Sequence, residues 1–423
     1  IYGTVNVNIN GGEVTNSVYG GGRGGYTNSS NSGTFVREDI NVVIGNSSLN
    51  TTPIINKSVY GGSAYGTVND YSSGTSVSSS KTKVTVNKGI IVNVFGGGEG
   101  NNTYTPYVMG DIEVTINNGT ITNVFGGNDL KGKPNGNITV TINDGTITNT
   151  YGGGNAAEVK EDTTLTVNNS TISNAIFGGG NGENSIVPGD ETGELNPAKV
   201  LGNTNLVIGE STKVKTIYGG GNLGKVNKNT NVNTNNITVE DSIYGGGNAA
   251  VVGENTNIHI SNANVNASVY AGGNGVLAVV NGNTNLDIDD NTTIGKHVFG
   301  GGNAAATGLE KNNNSKGIVN VVGATIGGNV YGGANTSRLY GDTTVNIGLS
   351  ASSNKNLTKS PIVIGGTVFG GGEANASGSE EYDYSFISVT VGINININGE
   401  GYDTFTIGGS IFGSGNASST TGY

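Results

Sequence analysis

The chain has 423 residues, 76 of them glycine, with 12% charged and 33% hydrophobic residues and a formal net charge of −11. That hydrophobic share is too small for a compact layered core, while sparse charge and abundant Val, Ile and Thr exclude ordinary disorder. The acidic balance argues against nucleic-acid and anionic-membrane partners, and the lack of cysteine removes disulfides, thiolate zinc sites and cysteine nucleophiles.

From the first residues onward one motif, [VIT]-[YF]-[GA]-G, keeps returning. Its aromatic falls at Tyr19, Tyr60, Phe95, Phe125, Tyr151, Phe177, Tyr218, Tyr244, Tyr270, Phe299, Tyr331, Phe369 and Phe412. The spacing never drops below 26 residues and equals 26 four times. A floor with upward excursions marks a fixed structural unit that tolerates loop insertions.

Within the unit, a first alternating strand comes from runs such as VTI (residues 114–116), ITVTI (138–142) and LTV (165–167). A turn follows, NNG (117–119) or NDG (143–145), built from residues that tolerate positive φ. A second strand such as TITNVF (120–125) ends in the glycine run, and a third segment such as NAAEV (155–159) or NAAVV (248–252) leads into a polar return like GENTN (253–257). Three short strands and three turns make one triangular coil. The expected fold is all-β, a parallel β-solenoid of about 13 coils with a 26-residue minimal repeat. Stacking thirteen coils at the strand spacing of about 4.8 Å predicts a rod on the order of 60 Å long. The expectation is one solenoid domain over 1–423, excised or processed from a longer protein, since neither a starting Met nor a signal sequence is present. The longest apolar run, GVLAVV at 275–280, is far short of a membrane span.

The glycine run is read as a corner where the chain turns sharply and neighbouring backbones stack closely. Behind it an asparagine recurs at Asn155, Asn181, Asn222, Asn248, Asn274, Asn303, Asn335 and Asn416, positions that predict a hydrogen-bonded amide ladder. The residue before the aromatic is Val or Ile in every copy but one, Thr150, which predicts a buried column. For the aromatic itself two readings stand. Alternation from Ile121 buries Phe125, whereas a bend at Asn123 buries Val124 instead.

Words such as VFGGGN-A followed by GNT-[NV]-[LV]-x-I resemble the Gly-rich repeats of very large surface adhesin-like proteins of anaerobic, often gut-dwelling, microbes. The resemblance covers essentially the whole chain. It implies an extracellular, cell-surface or secreted rod within a longer protein.

Catalytic signals are weak. DIDD (287–290) is the one acidic knot on a regular strand, and His259 and His297 lie in different coils without a matching acid column. Ser and Thr have no histidine–acid constellation to activate them. The expectation is a non-enzyme, with a polysaccharide-active β-helix enzyme as the least favoured alternative. No cofactor is expected. Calcium, which takes roughly six to eight oxygen ligands, finds plentiful Asp and Asn but no fixed ligand spacing. An outward column reading Thr85, Thr115, Thr141, Thr166, Val207, Thr238, His259, Asp287, Asn320 and Asn346 is too broken to order ice. Asn-x-Ser/Thr triplets at Asn118, Asn137, Asn236 and Asn291 are glycosylation acceptor sequences of a kind that this composition generates by chance.

The better lead is the insertions. Most fall just after the glycine corner, at 23–39, 63–83, 99–111, 182–201, 306–317 and 373–388, so one long edge carries loops. Binding residues concentrate on loops held by a rigid scaffold. The candidates are Tyr26 with Phe35, Tyr104 with Tyr107, and the EEYDYSF run containing Glu380, Glu381, Tyr382, Asp383 and Tyr384. Tyrosine beside a carboxylate stacks on a sugar face and accepts its hydroxyls. Expected partners are host or neighbouring-cell glycans or proteins. The alternative is self-association into an end-to-end fibre or coat, with no nucleic acid and no membrane insertion.

Overall fold

The computed structural model describes residues 1–24, 34–70, 78–101, 103–182, 198–289, 291–348, 360–375, 389 and 391–418. These form a parallel β-solenoid, all β, as the repeat predicts. The chain divides into two compact units, Ile1–Val214 with Gly221–Asn227, and Lys215–Gly220 with Lys228–Tyr423.

In the first unit the long strands Val5–Ile9, Ile40–Ile44, Ser78–Val86, Gly110–Ile116, Ile138–Ile142, Thr163–Asn168 and Thr204–Gly209 pair in that order, each parallel to the next. In the second unit the same wall is Thr230–Asn235, Thr256–Ser261, Thr284–Asp289, Ser315–Val321, Gly341–Ile347 and Ile393–Ile397. Alternation along each strand sends one set of side chains inward. Ile112, Val114 and Ile116 are buried against the equivalent Ile138, Val140 and Ile142 of the next coil. Register is stringent, since a one-residue slip would turn every aliphatic outward. It also revises the outward column: Asn233, not Thr238, stands opposite His259, because Thr238 opens a strand of the second wall.

The second wall is formed by strands such as Ile90–Phe95, Thr120–Phe125 and Gly145–Tyr151, in strict register. Both readings of the aromatic prove half right, for Val124 and Phe125 are buried together. The chain stops alternating at Asn123, so two consecutive side chains enter the core at the corner. The third wall is slighter than the predicted third strand. Apart from the short paired strands Phe35–Val36 and Thr67–Val68, it consists of one-residue bridges, Val68 to Val108 to Pro134 and Val159 to Val200 to Val226 in the first unit, and Val252 to Val280 to Thr307 to Leu339 to Val389 in the second.

The glycine corner owes its composition to crowding rather than to unusual dihedrals. At Gly126 and Gly152 φ lies outside the left-handed region, yet a methyl on Gly126 would collide with the Gly152 carbonyl, and one on Gly152 with the Gly178 carbonyl. The corner also explains the threonine that recurs at or near the start of the long strands. Thr163, Thr230, Thr256 and Thr343 donate buried hydroxyls to the carbonyls of Gly178, Gly245, Ala271 and Gly370, at 2.8, 2.6, 2.6 and 2.6 Å. Each turns an otherwise costly buried carbonyl into a tie between two walls of the coil.

Candidate functional site

The corner aromatics form stacks. In the first unit Tyr19, Tyr60, Phe95, Phe125, Tyr151 and Phe177 lie face to face with successive centroids 4.7–5.0 Å apart and planes within 8°. In the second, Tyr218, Tyr244, Tyr270, Phe299, Tyr331, Phe369 and Phe412 stack likewise at 4.6–5.4 Å with planes within 13°. Among these rings only Phe412 is exposed, so the column is core rather than a binding surface.

The predicted amide ladder runs alongside. Asn222 donates to Asn181 (2.9 Å), Asn181 to Asn155 (2.8 Å) and Asn155 to Asp129 (2.9 Å). In the second unit Asn335 donates to Asn303 (2.8 Å), Asn303 to Asn274 (2.9 Å) and Asn274 to Asn248 (2.9 Å). Asn416 departs from the expectation. Glu373 occupies the rung between it and Asn335, the Asn335 Oδ1 is left buried without a partner, and Asn416 serves the Tyr331 hydroxyl instead. The sequence reading missed further ladders: Asn143 to Asn117 to Asn87, Asn174 to Asn149 to Asn123 to Asn93, and Asn396 to Asn346 to Asn320 to Asp287. Asn recurring at the coil spacing was the signal. Every one of these amides donates toward the N-terminal coil, so each row is a line of aligned dipoles with its positive end there. A carboxylate at that end, Asp129 or Asp287, is the favourable terminator, as at a helix N-terminus.

Tyrosine hydroxyls of the stack reach the ladder position two coils on. Tyr19 donates to Glu99 Oε2 at 2.6 Å and Tyr60 to Asp129 Oδ2 at 2.8 Å. Burial pushes the Tyr19 and Tyr60 phenols well above their usual value, and the neighbouring carboxylates push them the same way. Burial likewise lifts the Glu99 and Asp129 carboxyls, and the proximity of Asp129 adds to the effect on Glu99.

Over Glu99 sits the looped edge. Tyr104 packs on Tyr65 of the preceding coil with centroids 5.4 Å apart and planes tilted by 38°, and Tyr107 on the same loop is 45% exposed. Tyr65 is a residue that the sequence reading passed over. The loop is held from within. Asn101 Oδ1 accepts from the Thr103 and Tyr104 amides at 2.9 and 2.8 Å, and Asn101 N donates to the Tyr104 carbonyl at 3.0 Å. The fully buried Asn128 accepts from Gly98 N at 2.9 Å and donates to the carbonyls of Pro106 (3.2 Å) and Lys131 (3.1 Å). Phe35, from the first loop, reaches the same edge through its register with Thr67. Tyr26, Glu380, Glu381, Tyr382, Asp383 and Tyr384 lie outside the described residues.

The two histidines have separate surroundings. His297 Nδ1 accepts from Asn329 N at 2.9 Å, and the ring packs edge-on against Phe299 and Tyr331. His259 was expected to lack an acid. Register instead sets it against Asp287, and its Nε2 lies 3.1 Å from Asp289 Oδ2. With Asn231, Asn233, Asn257 and Asn285 it lines an open depression of about 230 Å³ on the outward face of the long wall. Among the described residues no three His, Cys, Asp or Glu side chains converge as a metal-ligand set.

No protein-family model matches the chain, and no curated protein or solved structure is significantly similar to it.

Proposed function

We propose that this solenoid is a non-catalytic, extracellular structural and adhesive segment of the Gly-rich surface adhesin-like kind, and that it contacts glycans through its looped edge. The observation that carries the reading is the Tyr65–Tyr104 surface, with exposed Tyr107 beside it, on a loop that Asn101 and the buried Asn128 hold in place. Aromatic rings of this kind take up the apolar face of a sugar, and a rigid support lowers the entropic cost of binding. Nearby amides and the Glu99 carboxyl supply acceptors for hydroxyls.

Titration calorimetry against neutral and acidic oligosaccharides tests this. Binding by the parent chain, lost at least tenfold in Tyr104→Ala with the melting temperature unchanged, supports it. No binding to any glycan class, or equal binding by the variant, removes it. The bound glycan should keep its chain length on prolonged incubation, and shortened products would point to an enzyme instead. Long uniform filaments in electron micrographs of a concentration series would make self-assembly the better account.

A further inference from the structure

Asparagines that precede glycine carry a chemistry of their own. Glycine has no side chain to shield its peptide nitrogen, which can attack the side-chain carbon of the residue before it. The chain has seven Asn–Gly pairs, at Asn10, Asn118, Asn135, Asn181, Asn274, Asn281 and Asn398, and one Asp–Gly pair at Asp144. The fold treats them unequally.

At Asn181, Asn274 and Asn281 the glycine nitrogen belongs to the bonding between coils. Gly182 N donates to the Asn155 carbonyl at 2.7 Å, Gly275 N to that of Asn303 at 2.8 Å, and Gly282 N to that of Glu254 at 3.0 Å. A nitrogen held in this way reaches its neighbour's side chain only after local opening. Asn135 is half-buried beside the buried Gly136, and its Nδ2 rests on Met109 Sδ at 3.4 Å.

The remaining pairs share the corner where a long strand turns toward the second wall. There the bonding between coils takes the amides of Asn117 and Asn143, then those of Thr120 and Thr146, and passes over the two residues between. Gly119 N has no hydrogen-bond partner among the described residues. Gly145 N donates to Asp144 Oδ1 of its own turn at 2.6 Å, so that carboxyl group already lies folded over the nitrogen. Asn10–Gly11 occupies the same corner of the first coil, since Glu13, Ile54, Ile90 and Thr120 follow one another in the second wall. In the second unit Asn398–Gly399 directly follows the long strand Ile393–Ile397. Asn10, Asn118 and Asp144 are exposed. Asn398 is half-buried and accepts from Glu400 N at 3.0 Å, which leaves Gly399 N outside the bonding between coils.

We propose that Asn10, Asn118, Asp144 and Asn398 close spontaneously onto the following glycine nitrogen. This corner then gathers aspartyl and isoaspartyl residues while the asparagines at the glycine corner stay amides. The glycine nitrogen forms a bond to the side-chain Cγ. At an asparagine the Cγ–Nδ2 bond breaks, and the amide leaves as ammonia with the proton of the glycine nitrogen. At Asp144 the Cγ–O bond breaks and water leaves instead. Solvent water then adds to either carbonyl of the cyclic imide. Opening one C–N bond gives an aspartyl residue, and opening the other carries the main chain through Cβ and Cγ as isoaspartate. At Asn118 the change also removes the N–H that Asp144 accepts at 2.9 Å and sets two carboxylates against each other on adjacent coils.

Peptide-mapping mass spectrometry of the full chain, kept folded near neutral pH and sampled over time, reads each site separately. Conversion at Asn10, Asn118 and Asn398 should outpace that at Asn135, Asn181, Asn274 and Asn281 by roughly tenfold or more, because the latter wait for local opening. Isoaspartate, told from aspartate by electron-transfer fragmentation, should appear at Asp144. Denaturant should bring the Asn–Gly pairs to similar rates. Asn118→Gln, whose longer side chain closes a less favourable ring, should silence that site and leave the rate at Asn10 unchanged. Equal rates at all Asn–Gly pairs in the folded chain overturn the proposal. So does a folded chain in which Asn10 and Asn118 stay amides while the unfolded chain reacts.

Discussion

Asp129 shows how much a single rung can carry. It ends an amide row by accepting from Asn155 and also accepts the Tyr60 hydroxyl, one coil beyond Glu99 with its own tyrosine. Both carboxyls titrate above their ordinary values of 3.8 and 4.5. Between those values and the raised ones the folded chain binds more protons than the unfolded chain. Their contribution to stability therefore falls as pH rises through that window and is level above it. Asp129→Asn and Glu99→Gln should gain melting temperature relative to the parent as pH rises from those ordinary values through the raised ones. Parallel curves from paired thermal melts would count against this origin. Asn128 acts on the loop instead. Asn128→Ala strands Gly98 N and the Pro106 carbonyl, at a cost of about 1–3 kcal/mol. It should also weaken glycan binding, whereas a purely structural defect would leave affinity unchanged in the folded fraction.

At the scale of the element, stack and ladder form one device. Stacked rings fill the corner, and their hydroxyls reach amides or carboxylates, which explains why Tyr and Phe interchange there. Burial raises the phenols of Tyr19, Tyr60, Tyr218, Tyr244, Tyr270 and Tyr331 above their ordinary 10.0, and Tyr331 is pushed up to about 12. A raised phenol stabilises the fold fully below pH 10 and loses that contribution as pH climbs past it. These six should ionise only as β-sheet circular dichroism is lost. Near-ultraviolet absorbance of phenolate, followed beside circular dichroism, checks it; a single early titration of all tyrosines would contradict it. The ladder along Asn155, Asn181 and Asn222 was legible because one residue type recurs at fixed distance from the corner. The failure at Asn416 was not, because a glutamate rung breaks the donor–acceptor chain without altering the spacing.

For the whole molecule, the repeat makes stability a sum of coils and their neighbours. Residues 245–270 amount to one 26-residue period inside the second unit, since Tyr244 pairs with Tyr270 in register and Thr230, Thr256 and Thr284 follow one another. Deleting all of it should leave a folded chain with a cooperative melt and unchanged β-sheet circular dichroism. Deleting half of it should unfold or aggregate the unit, because the inward aliphatics then face out. Equal behaviour of the two deletions would mean that the period is not the unit of folding.

Composition, the period of 26 and the alternation within strands determined the solenoid, its glycine corner and its main ladder, because a stacked coil repeats the same local demands at every turn. The third wall's reduction to mostly single bridges came only from tertiary structure, as did the pairing of His259 with Asp289 and the meeting of Tyr65 with Tyr104. Each joins residues on different coils whose separation is set by insertions of irregular length. Local pattern carries no record of where a loop folds back, and packing in three dimensions decides it.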